Sequence, residues 1–210
     1  MTDVRNSDRA GGDRAEDDLP DLSPVLHGHG LRLRSWDDAS DGDVDAWLRG
    51  LTDPDFRRWN TPVKSVSDRE SARESLRWKL AAVADGTSAS FRITDAASGA
   101  TLGHIGVNEI DLFLRTARVG YWILPEARGQ GVATRALALA ARWALTDLGV
   151  HRLELGHAVG HAASCRIAER CGFLVEGTLR GAMHDEAPPG GFRDVHLHAR
   201  VATDPDPALP

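Results

Sequence analysis

The run Arg128-Gly129-Gln130-Gly131-Val132-Ala133 sets two glycines one residue apart, between an apolar stretch ending at Pro125 and a segment patterned as a helix. Those residue types at that spacing suit the binding of an anion. A helix entrance gathers unpaired backbone N–H groups and the positive end of the helix dipole. Glycines let backbone approach an oxyanion closely, and Arg128 and Arg135 add charge suited to phosphate. On these residues alone, a tight strand-to-helix turn with surface arginines reads the same way. The two cysteines, Cys165 and Cys171, lie six apart in a stretch patterned as helix. That spacing fits neither a CxxC redox pair nor zinc, so both read as free thiols and no residue is assigned as a metal ligand.

An anion loop of this kind needs a strand before it and a helix after it, and the hydrophobic pattern supplies both. LRLRSW (31–36) alternates like a strand, and residues 37–85 read as helix in at least two pieces. Val44, Trp47, Leu48 and Leu51 share one helical stripe, Leu76, Leu80 and Val83 another, and Asp85-Gly86 ends the second piece. SASFRITD, TLGHIGVNEI and ARVGYWIL predict three strands in an antiparallel meander, stopped by Pro125. Then come a helix over about 132–148, the strand HRLELGH, a helix over about 161–171, the strand FLVEGTLRGAM, the loop DEAPPGG and the strand FRDVHLHARV. Strand, helix, strand is a crossover unit, so 117–124 and 151–157 are predicted to be parallel neighbours. The fold class is therefore α/β, with an α+β mixed sheet. His104 alternates onto the polar side of its strand and reads as a solvated histidine.

The chain's 210 residues, 41% of them hydrophobic, suit one domain with a real core. No apolar run reaches the roughly 18 residues of a membrane span, and the polar first residues do not resemble a secretory signal, so a cytoplasmic address is expected. The net charge of −6 lies in the ends: residues 1–22 carry −4 and residues 203–210 carry −2. The body, 23–202, is neutral and has no basic stripe of the kind nucleic acid needs. Both ends are predicted to be disordered tails around a single domain at 23–202.

The run R-G-Q-G-V-A resembles the Q/R-x-x-G-x-G/A pyrophosphate loop of the GNAT superfamily of N-acetyltransferases. The preceding GYWIL, the later LEL, Ser164, Cys171-Gly172-Phe173 and E-G-T-L-R (176–180) fall at the family's distances. Together these look like the branch that includes the ribosomal-protein alanine acetyltransferases. The resemblance implies acetyl-CoA as acyl-donor cosubstrate and an antiparallel meander followed by a parallel strand-helix-strand cofactor unit. It also implies a sheet that splays between GYWIL and LEL to admit the pantetheine arm. Trp122, Ile123, Leu124, Arg128, Gly129, Gln130, Gly131, Val132, Ala133, Thr134, His161 and Ser164 would then contact the cofactor.

Direct attack of an amine on a thioester needs a base, a donor to the carbonyl oxygen and an acid for the departing thiolate. The resemblance puts Ser164 in the acid's role, because the superfamily's usual helix tyrosine is replaced by Ala168; a serine capping the first helical turn is the other reading. His161 stands where the branch usually has Asn. The branch's usual glutamate, two residues before Gly-Tyr-Trp, is Arg118. Alternation offers two substitutes facing inward, Glu109 after Ile105 and Val107, and His157 after Leu153 and Leu155. Glu109 could be spent on a cross-strand ion pair with Arg118, so His157 is narrowly preferred as base, with a purely structural buried histidine and a water-relayed proton path left open. The implied activity is acetyl transfer to a primary amine, on a protein N-terminus or a small molecule. The alternative is a non-catalytic acyl-CoA-binding sensor or scaffold. Neither nucleic acid nor membrane is expected as a partner, and a homodimer is left open.

Overall fold

A computed structural model describes residues 20–61, 65–185 and 190–208 of the chain. The predicted N-terminal tail lies almost wholly outside the described residues, as does much of the DEAPPGG loop. Eight strands form one mixed sheet in the order β1-β2-β3-β4-β5-β6-β8-β7. They are β1 (Leu26–Gly28), β2 (Leu31–Ser35), β3 (Ser88–Asp95), β4 (Thr101–Asp111), β5 (Thr116–Ile123), β6 (Arg152–Ala158), β7 (Leu174–Asp185) and β8 (Gly191–Val201). The β5–β6 pair is parallel and the others are antiparallel. The expected meander and crossover are both present, with a short β1 not read from the sequence and β8 inserted between β6 and β7.

Among the described residues five α-helices lie against the sheet: α1 (Asp41–Thr52), α2 (Pro54–Trp59), α3 (Arg69–Ala84), α4 (Val132–Thr146) and α5 (Ala162–Arg170). Local chemistry sets their starts. Ser40 and Asp53 accept backbone N–H bonds as N-caps of α1 and α2, Pro54 occupies the first turn of α2, and Asp68 with Ser71 forms a capping box on α3. Because successive strand residues face opposite ways, β5 feeds two cores. Ala117 and Val119 join the core under α4, with Ala136, Leu137, Ala140 and Ala144. Trp122 joins the core under α1 and α3, with Trp36, Trp47 and Leu76. Small α4 residues bring that helix close to the sheet, whereas tryptophans fill the wider space opposite.

His104 corrects the reading of a solvated histidine: only 7% of it is exposed. It lies in the tryptophan core, where Trp36 donates Nε1–H to its Nδ1 at 3.1 Å. A tryptophan N–H can only donate, so Nδ1 accepts. Burial first, then the nearby Lys79 charge, pushes its pKa down to about 3. The segment expected as a C-terminal tail is tied down in its described part: Asp204 accepts from the Val201 N–H at 2.9 Å and Arg200 pairs with Asp206 at 2.6 Å. Among the described residues no helix is long and apolar enough to cross a membrane.

Two outcomes follow from this packing. Gly50 on α1 lies directly against the Trp122 indole, with no room for a Cβ. Gly50→Val should therefore lower stability by about 1–3 kcal/mol, outweighing the roughly 0.3 kcal/mol of helix propensity it gains; the midpoint of urea unfolding measures this. For His104, the unfolded chain takes up a proton below about pH 6.5 and the folded chain only near 3, so stability is lost as pH falls through that window. His104→Asn should flatten the loss, read by denaturant unfolding at a series of pH values.

Candidate active site

The parallel strands stay paired for three residues only: Thr116 with Arg152, Ala117 with Leu153 and Arg118 with Glu154. Beyond that point β5 follows β4 as far as Ile123, and β6 follows β8 as far as Ala158. The strands part, and a cavity of about 630 Å³ opens between Val119–Ile123 and Leu155–His157. Arg118 fastens the closed end, with its guanidinium 3.3 Å from Glu154 and 3.3 Å from Glu109. Inside the opening, backbone N–H and C=O groups of two strands face the cavity rather than each other, and amides of a bound molecule can satisfy them.

At the other end stands the glycine loop. Gly129 and Gly131 have φ of 74° and 72°, the left-handed region that favours glycine. Gly131 caps α4 without any side-chain hydrogen bond, and both glycines line the cavity with no atom within 4 Å of an added Cβ. Free N–H groups in the first turn of α4 and empty space before them fit a pyrophosphate. Val132, Ala133 and Thr134 continue this wall.

The arginines expected to supply charge already have protein partners, although Arg128 does line the cavity. Arg128 donates to the Ile123 carbonyl at 3.0 Å and pairs with Asp55 at 3.0 Å and with Asp53. Arg135 holds the carbonyls of His29 at 2.6 Å and Gln130 at 3.2 Å, and Gln130 itself donates to the Glu126 carbonyl at 2.9 Å. These side chains build the loop. The cations on the cavity wall without a salt bridge among the described residues are Arg166 and Arg170, one helical turn apart on α5. Of the other expected contacts Leu124 and Gln130 lie elsewhere, whereas Trp122 lines the cavity. Leu124 is buried outside the cavity with its N–H on the Leu102 carbonyl, Gln130 does not line the cavity, and the Trp122 indole is in the tryptophan core.

Ser164 stands in the first turn of α5, 6% exposed and on the cavity wall. It is not the helix cap. That position belongs to His161, which makes no side-chain capping bond and stacks on Trp59 of α2, with centroids 4.7 Å apart. Burial first, then His157, pushes the His161 pKa down to about 4. The Tyr121 hydroxyl on β5 reaches across the opening to the Ser164 Oγ at 3.3 Å. Burial holds that phenol at about 12, so it stays protonated and donates. The sequence reading missed Tyr121 because it looked for a tyrosine on the helix, where Ala168 is fully buried. Tyrosine directly after Gly120, in a strand with one face toward the opening, was the available signal.

The two candidate bases separate. His157 lines the cavity as expected, but its Nδ1 lies 3.0 Å from the Ala158 carbonyl and its Nε2 lies 3.2 Å from His198 Nε2. If Nδ1–H donates to the carbonyl, the Nε2 lone pair faces His198, not the acceptor's place. Glu109 does not face inward. β4 carries an extra residue between Asn108 and Asp111, Glu109 takes φ of 51° in that bulge, and its side chain is 67% exposed beside Arg118. The alternation that placed it inside fails at the bulge.

A family model described as an acetyltransferase (GNAT) domain matches residues 31–174. The ribosomal-protein-serine acetyltransferase of Escherichia coli is 31% identical over 100 residues, 48% of this chain and 54% of that protein. The spermidine N(1)-acetyltransferase of Vibrio cholerae is 32% identical over 89 residues, 42% of this chain and 51% of that protein. The chain thus spans about half the length of the curated relatives it matches. Among solved structures, Mycobacterium smegmatis RimJ in complex with CoA-disulfide aligns with a TM-score of 0.74 at 24% identity, covering 85% of this chain and 86% of that one.

The loop makes a contrast that calorimetry with coenzyme A can read. Gly131→Val puts a side chain into the phosphate space, and Arg170→Gln removes an unpaired cation. Each should weaken binding by about 10-fold to 100-fold, the worth of a charge-assisted bond. Arg128→Gln should instead lower the melting temperature, because its partners are Asp53 and Asp55.

Proposed function

The chain belongs to the GNAT acetyltransferase family, and from that premise we propose that it transfers acetyl from acetyl-CoA directly to the α-amine of a protein or peptide N-terminus. The observation that carries this reading is the opening between β5 and β6, which runs from the Gly129–Gly131 loop to the Ser164–Tyr121 pair. Residues 23–202 are taken as the acting unit, working in the cytoplasm, where its two free thiols stay reduced.

The chain's own groups divide the work. First-turn N–H groups of α4 and the α5 arginines hold phosphates, and the parted strands grip the amide-bearing arm. Acetyl-CoA supplies the thioester and the leaving thiolate. Tyr121 donates to Ser164, which leaves the Ser164 hydroxyl free to donate to sulfur as the C–S bond breaks. Each bond in such a chain strengthens the next. A serine acts here by an oriented hydrogen bond rather than by full proton release.

The acceptor follows from what the cavity lacks among its described residues. Asp55 is the one carboxylate on its wall and is already paired with Arg128. A polyamine carries several charges that want carboxylate partners. An α-amine, with a pKa near 7.7–8.0, is partly neutral at physiological pH and needs little help to lose its proton. With Glu109 outside and the His157 lone pair facing His198, no strong base is placed for a more basic amine.

Mass spectrometry of peptide and spermidine mixtures with acetyl-CoA tests the acceptor. Acetylated peptide N-termini with little acetylspermidine are expected, and the reverse preference overturns the assignment. Tight coenzyme A binding with no acetylated product from any amine would leave the sensor reading standing. Ser164→Ala should lower turnover by about 10²-fold to 10⁴-fold with coenzyme A affinity nearly intact. Tyr121→Phe should lower it by about 3-fold to 10-fold. In the parent, kcat/KM should rise with pH until it passes the acceptor's own amine pKa. Glu109→Gln should leave that limb in place.

A further inference from the structure

Behind the cavity wall, on the far side of β6 from β5, three histidines and a cysteine converge. The β6–β8 register pairs His157 with His196 and Leu155 with His198. Strand alternation therefore puts all three imidazoles on one face of the sheet, the face covered by α5 and Cys165. His157 and His198 are buried, whereas His196 and Cys165 are half-buried, so the cluster is reachable from solvent. Ligand atoms of His157, Cys165 and His196 lie within 4.8 Å of one another. The His198 Nε2 lies 3.2 Å from His157 Nε2 and 3.5 Å from Cys165 Sγ. Only His157 is shared with the cofactor cavity.

Hydrogen bonding alone does not satisfy this group. His157 Nδ1 faces the Ala158 carbonyl at 3.0 Å, which fixes its proton there and makes Nε2 a lone pair. If His198 carries its proton on Nε2 it can donate to that lone pair. Its Nδ1, buried and without a hydrogen bond, is then an acceptor with no donor. If the proton moves to Nδ1, as the nearby Phe173 carbonyl favours, two lone pairs meet at 3.2 Å. Either tautomer leaves one buried nitrogen unmatched, a state that native proteins rarely keep without a reason.

A cation resolves the conflict, because it lets both Nε2 lone pairs and the sulfur point at one centre. Tetrahedral zinc, with bonds of about 2.05 Å to nitrogen and 2.3 Å to sulfur, holds ligands roughly 3.3 Å (N to N) and 3.6 Å (N to S) apart. The observed separations of 3.2 and 3.5 Å match that arrangement. The His157 bond to a backbone carbonyl is the outer-shell contact that zinc-binding histidines usually make. We propose that His157 Nε2, His198 Nε2 and Cys165 Sγ, joined by a ring nitrogen of His196, bind one thiophilic divalent cation of the zinc type. On binding, the Cys165 thiol gives its proton to solvent and coordinates as thiolate. Imidazole with thiolate selects zinc over magnesium or calcium.

The test uses the full chain, freed of metal by chelation and kept reduced, titrated with Co²⁺ as a spectroscopic stand-in and then with Zn²⁺. One Co²⁺ per chain is expected, with the intense visible bands of a tetrahedral site and a thiolate charge-transfer band in the near ultraviolet. One equivalent of Zn²⁺ should displace it. Cys165→Ser should abolish the charge-transfer band. His196→Gln should weaken Zn²⁺ at least by the about 10-fold to 100-fold that loss of an outer-shell partner causes. Both substituted positions are partly exposed, and circular dichroism confirms that the variants fold. Three results would overturn the site: no stoichiometric metal uptake, a charge-transfer band that survives Cys165→Ser, or Zn²⁺ binding unchanged in both variants.

Discussion

The structure is organised by the short life of one strand pairing. β5 and β6 share a parallel ladder for three residue pairs and then serve different neighbours. Unpaired buried backbone groups cost about 1–3 kcal/mol each, so a gap in the middle of a sheet is tolerable only where water or a ligand can enter. Both strands are therefore held firmly on their other sides, β5 by β4 and β6 by β8, and the closed end is clasped by Arg118 between Glu109 and Glu154. These exposed ion pairs are individually weak. Their placement matters more than their energy, since they stand where the ladder stops.

The order of elements was legible because it is written locally. Alternation marked the meander, Pro125 its end, and the paired glycines the entrance to α4. At Gly129 and Gly131 the sequence reading placed the helix entrance, and the structure adds that both glycines take a positive φ. Charge was not legible in the same way. Arg128 looked like a phosphate ligand because it sits in the loop, and its engagement by Asp53 and Asp55 depends on the docking of α2, more than seventy residues away. Glu109 failed for a different reason. Alternation assumes an unbroken ladder, and the added residue after Asn108 rotates every assignment that relies on it.

Clusters built from several elements were the least legible. Tyr121 meets Ser164 across the opening, and the three histidines meet Cys165 only because β8 lies beside β6 rather than at the sheet edge. The spacing of Cys165 and Cys171 argued against a metal set made from cysteines; in the structure Cys171 gives its S–H to the Thr134 carbonyl at 3.3 Å. His196-Leu197-His198 did hold a clue, since an i, i+2 pair on a strand shares a face. Its meaning depended on a register that the sequence does not state.

The six-residue α2 buries none of its residues, yet it touches both the glycine loop and the start of α5. Its cap Asp53 and first-turn Asp55 hold Arg128 of the loop, and Trp59 at its end lies flat on His161 at the start of α5. Between its ends α2 leans on the tryptophan core through the half-buried Phe56, so its outward-facing side chains carry little of the packing. Arg57 donates to the carbonyls of Leu51 and Val66 and Asn60 to that of Phe56, which leaves Arg58, lying over the Trp59 ring, the easiest of the helix's polar residues to replace. A short helix pinned at both ends in this way is a replaceable face on a fixed frame, one whose outer surface can change by few substitutions while the strands beneath keep their places.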